Sequence, residues 1–211
     1  MAGAYGVGVE MTPAHVDLVI GLLGTQGVPS DAEIKLVSSG KETLRFCIGD
    51  AQVQSRVLGQ SINWDRVILA RKKGRPVGYL SFFMAGYGPF NVSRKSFTDE
   101  FGVASGTLRF LVYKYLERRC TRPPVYVYKM AVNRALRGSG IGSGLMAFLF
   151  AHAIAGGRGS VELEVFAKNR NAIEFYKNIG FFQTGKIDFR RFGGFLPDAQ
   201  IFRMKKMLGL S

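Results

Sequence analysis

Between residues 66 and 84, apolar and polar positions alternate, and the pattern predicts two strands, 66–71 and 75–84. The intervening Lys-Lys-Gly makes them a hairpin whose turn glycine supplies the positive φ. From 96 to 124 the period lengthens. Phe101, Leu108, Leu111, Val112, Tyr115 and Leu116 recur at helical spacing, Asp99 and Glu100 stand near the start, Arg118 and Arg119 near the end, and two prolines close the run. One amphipathic helix is expected there, weakened by Gly102 and Gly106. Residues 125–132 then read as a strand, 141–154 as a helix apolar on nearly every side, 161–166 as a strand and 169–179 as a helix. Residues 181–190 and 199–207 read as a closing pair of strands.

Towards the N-terminus a short strand at 5–10 precedes a helix near 13–23. Thr12 and Pro13 mark its start, Val16, Val19, Ile20 and Leu23 give it an apolar stripe, and Gly24 ends it. Residues 30–62 mix helix and loop. Strands alternating with helices, without an internal repeat, imply an α/β sheet with helices on both faces.

With 211 residues, 47% of them apolar and 12% aromatic, the chain has enough material for a core without covalent staples. Cys47 and Cys120 stand in no C-x-x-C or Cys/His pattern, so neither a disulfide framework nor a metal site is expected, and a reducing compartment fits. The N-terminal MAGAYGVGVE lacks a basic start with an apolar core, and no run of ~18 apolar residues occurs. A cytoplasmic location and no membrane partner are therefore expected. Lys and Arg number 29 against 15 Asp and Glu, a net charge of +14. Such an excess attracts phosphorylated cofactors, acidic proteins or nucleic acid. The basic pairs are scattered, without the dense stripe and interleaved aromatics of a nucleic-acid groove, so nucleic acid is not the favoured partner.

The stretch RGSGIGSGL, residues 137–145, lies between the strand at 125–132 and the apolar helix after it. Glycines there let main-chain N–H groups converge, and the helix start adds its own unpaired N–H groups, so the loop reads as a cradle for a phosphate. Three motifs compete. The dinucleotide fingerprint is nearly met at Gly138, Gly140 and Ser143, but it comes late in the chain and lacks its acidic residue downstream. A P-loop would need Gly-Lys-Ser/Thr, which is absent. The third, R-x-x-G-x-G/A, is satisfied by Arg137, Gly140 and Gly142.

VNRALRGSGIG at 132–142 and NRNAIEFYKNIGF at 169–181 together resemble the two signatures of the GNAT superfamily of acetyl-CoA-dependent N-acetyltransferases. Arg134 replaces the proline of the first signature. The resemblance implies a single domain over 1–211 with a mixed, mostly antiparallel sheet of about six to seven strands and helices on both faces, and with an inserted helical segment at about 87–124. It also implies a cosubstrate and a set of contacts. The backbone from Arg137 through Gly138, Ser139, Gly140 and Ile141 to Gly142 would hold the coenzyme A pyrophosphate. Met130, Ala131 and Val132 would pair with the pantetheine arm as an added strand would. Asn169 would hydrogen-bond that arm, and Tyr176 would sit near the thioester sulfur.

Acetyl transfer to a primary amine needs a base to free the amine's lone pair and an acid for the departing thiolate. Tyr176 is the expected acid. Glu164 is the expected base, acting through a water; it lies twelve residues before Tyr176, as a glutamate does in similar amino-terminal acetyltransferases. Alternation places Glu162 and Glu164 on one strand face, where both could equally be solvated. His15 and His152 are other bases to weigh, and Asp188 or Asp198 could attract a cationic acceptor. The acceptor remains open between a small amine and a peptide amino terminus, and a homodimer is compatible. Two further readings stand beside the enzyme: a coenzyme-A-binding module docked on nucleic acid or an acidic protein, and an acyltransferase served by acyl carrier protein.

Overall fold

A computed structural model of the chain describes residues 51–58, 62–73, 75–188 and 200–209. The elements expected at 5–10 and 13–23, with His15, and Asp198 near the final strand, lie outside the described residues. Among them six strands form one sheet: β1 (Val67–Lys72), β2 (Arg75–Met84), β3 (Val125–Val132), β4 (Ser160–Phe166), β5 (Phe182–Asp188) and β6 (Gln200–Met207). Their order across the sheet is β1-β2-β3-β4-β6-β5. Every neighbouring pair is antiparallel except β3 and β4. The helices are α1 (Ala51–Leu58), α2 (Arg94–Phe101), α3 (Val103–Thr121), α4 (Ile141–Ala155) and α5 (Arg170–Asn178). The mixed, mostly antiparallel sheet with helices on both faces is the expected architecture.

Alternation decides which face each strand buries. In β4, Val161, Leu163 and Val165 pack with Leu145, Met146, Leu149 and Ala153 of α4, while Glu162 and Glu164 face the other way. Leu145, Met146 and Leu149 are wholly excluded from solvent, and truncating one such side chain to alanine costs about 2–5 kcal/mol. Tyr176 and Phe181 join this core, so α4 and α5 cover one face.

The opposite face carries a second cluster built on Val57, Phe90, Val92, Phe97 and Tyr113, with Tyr128 of β3 packed against it. Here two expectations need correction. The run 96–124 is two helices, broken at Gly102, whose φ of +76° and ψ of +165° no helix can contain. Three of the apolar residues named at helical spacing also fall on the exposed side, while Phe101 and Val112 pack inward as expected. Leu108, Leu111 and Tyr115 are 56%, 59% and 70% exposed, and the buried face is carried by Tyr113 with Phe110 and Val112. The cause is Gly106: a Cβ there would stand 2.4 Å from the Phe97 carbonyl oxygen, so the bare glycine lets α2 press its Phe97 against Phe110 and Tyr113. In the hairpin turn, the residue described with positive φ is Lys73, at +51°; Gly74 lies outside the described residues.

Two irregularities shape the middle of the sheet. Ser81 pairs with Lys129 and Phe82 with Val127, so Tyr128 is bulged out of the β2–β3 ladder. The extra residue reverses the alternation: Val125 and Val127 face α4 before the bulge, Met130 and Val132 after it. The parallel ladder from β3 to β4 contains only Tyr126↔Glu162 and Val127↔Leu163. Beyond Val127 the two strands diverge, and no described strand pairs with the β4-facing edge of β3 at Met130–Val132.

Candidate functional site

The diverging strands and the glycine loop meet at the start of α4. β3 ends at Val132, Asn133 anchors a short 3-10 turn through its Oδ1, which accepts from Ala135 N–H, and the chain then enters the loop. Gly138 and Gly140 have φ of +81° and +84°, and a Cβ on either would meet nothing within 4 Å. The loop is thus left-handed twice and open on its outer side. Its donors divide clearly. The Arg137 and Ser139 N–H groups close the preceding turn, on Arg134 and Leu136 carbonyls, and Gly144 N–H makes the first bond of α4, to Gly140. The N–H groups of Gly138, Gly140, Ile141, Gly142 and Ser143 have no acceptor among the described residues, and three of them lie in the first turn of α4, where the helix dipole adds positive potential. An anion fits this cradle. The Arg137 side chain turns back to the strand, its Nε donating to the Val132 carbonyl at 3.4 Å.

The wedge between β3 and β4 opens beside this loop. Met130, Ala131 and Val132 pair with Leu80, Tyr79 and Gly78 of β2, and no described strand pairs with their other edge, which offers backbone groups to an extended chain apart from the Val132 carbonyl that Arg137 Nε holds. α4 and α5 close in from one side: a Cβ at Gly142 would lie 3.4 Å from Phe175 Cζ and 4.0 Å from Met130 Cε. Asn169 caps α5, its Oδ1 accepting from Ala172 N–H at 3.2 Å, which leaves its amide NH2 as the free donor.

Tyr176 is buried between Phe175 and Phe181, with ring centroids at 5.2 and 5.6 Å. Its hydroxyl has no hydrogen-bond partner among the described residues, and burial pushes the phenol up to about 12. It is therefore a proton donor at any physiological pH. Glu164 lies across the sheet, on the face covered by α2 and α3. Its Oε1 accepts from Arg119 Nη2 of α3 at 3.3 Å and from Arg203 Nε of β6 at 3.1 Å. Glu162 is similarly paired with Lys205, at 3.3 Å. Neither glutamate is merely solvated.

Residues 47–181 match the model of the Acetyltransferase (GNAT) family. The chain belongs to the GNAT family. A GNAT-family protein from Desulfovibrio desulfuricans has 13% identity over 95% of this chain and 96% of its own, with a TM-score of 0.54. Ard1 from Thermoplasma volcanium has 17% identity over 95% of both chains, with a TM-score of 0.51. A protein described as a streptothricin acetyltransferase from Bacillus anthracis, in complex with acetyl coenzyme A, has 17% identity over 68% of this chain, with a TM-score of 0.46. The chain spans 62% of that protein's length. No curated protein sequence matches it. At these identities the solved structures speak for the GNAT fold alone.

Within the GNAT fold the structure brings Arg137–Gly142 and Met130–Val132 together beside Phe175 of α5, puts Asn169 at the cap of that helix and Tyr176 in the core next to Phe175, and leaves Glu164 on the far face. It does not bring His152 to the loop: that residue lies about three turns further along α4, its ring edge-on to Phe82 of β2 at 5.7 Å. Asp188 is engaged by Gln200 Nε2 at the far edge of the sheet. Sequence reasoning missed Arg119 and Arg203 as partners of Glu164. The signal for Arg203 was present: alternation in β6 puts Arg203 and Lys205 on one face, opposite Glu164 and Glu162 once the antiparallel register is known. For Arg119 there was only a basic pair at a helix end. Among the described residues no group of three or more His, Cys, Asp and Glu is placed to hold a metal ion, and no helix is long and apolar enough to cross a membrane.

Proposed function

We propose that this chain is a cytoplasmic N-acetyltransferase that moves an acetyl group from acetyl-CoA to a primary amine by direct attack in a ternary complex. The observation that carries the reading is that the N–H groups of Gly138 and Gly140–Ser143, unsatisfied among the described residues, lie beside a β3 edge at Met130–Val132 that no described strand pairs with. A diphosphate attached to an amide-bearing arm needs both, side by side. When bound, acetyl-CoA would supply the acetyl group as an activated thioester.

The chain's own residues divide the remaining work. The cradle N–H groups bind the pyrophosphate. The Arg137 side chain holds the loop against the end of β3, and Ser139, its hydroxyl bound to the Leu136 carbonyl at 2.6 Å, fixes the turn. Met130, Ala131 and Val132 align the pantetheine amides, and the Asn169 NH2 donates to the same arm. Tyr176, protonated because it is buried, gives its proton to the leaving thiolate. Glu164, on the opposite side of the sheet, receives the amine's proton through a water at Oε2, the oxygen its arginines leave free. Tyr176 and Glu164 lie on opposite faces of the sheet, so in this reading the acid reaches the sulfur and the base the amine from different sides.

Thiol release from acetyl-CoA with a panel of amines, amino acids and peptides tests the reading. Amine-dependent release with a mass gain of one acetyl group on the acceptor supports it. Release at the same rate with and without amine, at saturating acetyl-CoA, refutes it.

A further inference from the structure

The acceptor face of the wedge carries more positive than negative charge before any substrate arrives. Glu164 and Glu162 are its carboxylates, and they are already met by three cations: Arg119 from α3, and Arg203 and Lys205 from β6. Glu117, the next carboxylate along α3, is itself paired with Lys114. The two arginines share a single oxygen, Glu164 Oε1, and each donates one N–H to it. The other guanidinium N–H groups of Arg119 and Arg203 have no acceptor among the described residues. The two side chains remain 37% and 49% exposed, while Glu164 between them is 24% exposed. A carboxylate held by two guanidiniums is a poor lure for a bare ammonium ion, which would add a second net positive charge to a face that already has one.

Resting on the acetyl-transfer reading, we propose that Arg119 and Arg203 make this face a carboxylate-recognition site, so that the acceptor is an amine carrying its own carboxylate. Guanidiniums suit this task because their planar forks bind carboxylates with two parallel donors, and part of each fork is already oriented by Glu164. The acceptor's carboxylate takes the spare donors, its amine lies beside Glu164, and the charge balance of the face is unchanged by binding. A cationic amine without a carboxylate, singly or doubly charged, would lack that compensation. The inserted helix α3 thereby acquires a role: its last turn delivers Arg119 to a strand that it does not neighbour in sequence.

Matched acceptor pairs that differ only in the carboxylate test the inference: alanine against alaninamide, and γ-aminobutyrate against its amide. The carboxylate member should show the higher kcat/KM by roughly tenfold or more, the scale of a charge-assisted hydrogen-bond pair, and the gain should lie mainly in KM. Arg119→Gln and Arg203→Gln should each collapse the preference, and Arg119→Lys should restore part of it. Calorimetric binding of the same pairs to the protein saturated with coenzyme A reads the preference without turnover. A carboxylate preference in binding with no acetyl transfer supports the anion site and strikes the reaction. Equal or tighter binding of the amides, or a preference unmoved in Arg119→Gln and Arg203→Gln, overturns the anion site whatever the turnover.

Discussion

Replacing Gly140 with aspartate separates what the glycine loop does for folding from what it does for binding. Gly140 stands at the N-terminal boundary of α4 with φ +84° and ψ −6°, the left-handed region, and no heavy atom lies within 4 Å of a Cβ added there. The folding penalty is therefore that of the backbone conformation alone, about 1 kcal/mol, because aspartate is among the residues that tolerate it. For a chain of this size that is a fall of roughly 2–4 °C in melting temperature. The effect on a bound diphosphate is larger. A carboxylate about 5 Å from one phosphate charge, at an effective dielectric of about 20, costs about 3 kcal/mol, or roughly a hundredfold in Kd. Gly140→Ala, with a somewhat larger backbone cost of about 1–2 kcal/mol but no charge, should lose much less affinity. Calorimetric titration of both variants with coenzyme A, beside their thermal melts, is the measurement. Wild-type affinity in Gly140→Asp would refute the cradle as the diphosphate site.

Tyr176→Phe keeps the ring between Phe175 and Phe181 and removes only the donor, so kcat should fall ~10²-fold or more with little change in coenzyme A affinity; unchanged turnover where chemistry limits the rate removes Tyr176 from the mechanism. Because burial raises its phenol to about 12, loss of this proton should not limit kcat below that pH, and a limb near 10 that disappears in the phenylalanine variant would contradict the assignment. Gly106→Ala forces a methyl against the Phe97 carbonyl and should cost about 1–3 kcal/mol, read as a melting temperature lower by several degrees; an unchanged melt would show that α2 and α3 adjust freely. Burial first, then the Glu164 charge, raises the Cys120 thiol to about 12, so at pH 8 it should react with a thiol reagent ~10³-fold more slowly than an ordinary cysteine of pKa ~8.5, as followed by mass spectrometry of the native protein.

The parts of this protein legible in the sequence are those whose cause is local. Alternation in β4 put Glu162 and Glu164 on one face and Leu163 and Val165 on the other, as the structure has them, because a strand's side chains can only alternate. The glycine spacing at 138–142 marked the cradle, because only glycine adopts φ near +80° twice in three residues without strain. The motif around Asn169 and Tyr176 marked the helix they stand on, which Asn169 caps. What only the tertiary structure decided depends on contacts between distant segments. The face of α3 that is buried was misread because apolar residues lie on both sides of it, and the close approach that Gly106 permits selects one. The bulge at Tyr128 and the two-residue ladder to β4 set the wedge, and neither leaves a local mark, since both express the register between strands. Arg119 and Arg203 reach Glu164 from 45 and 39 residues away along the chain. Their pairing follows from a helix and a strand being folded onto the same sheet face, and no periodicity along the chain encodes such a meeting.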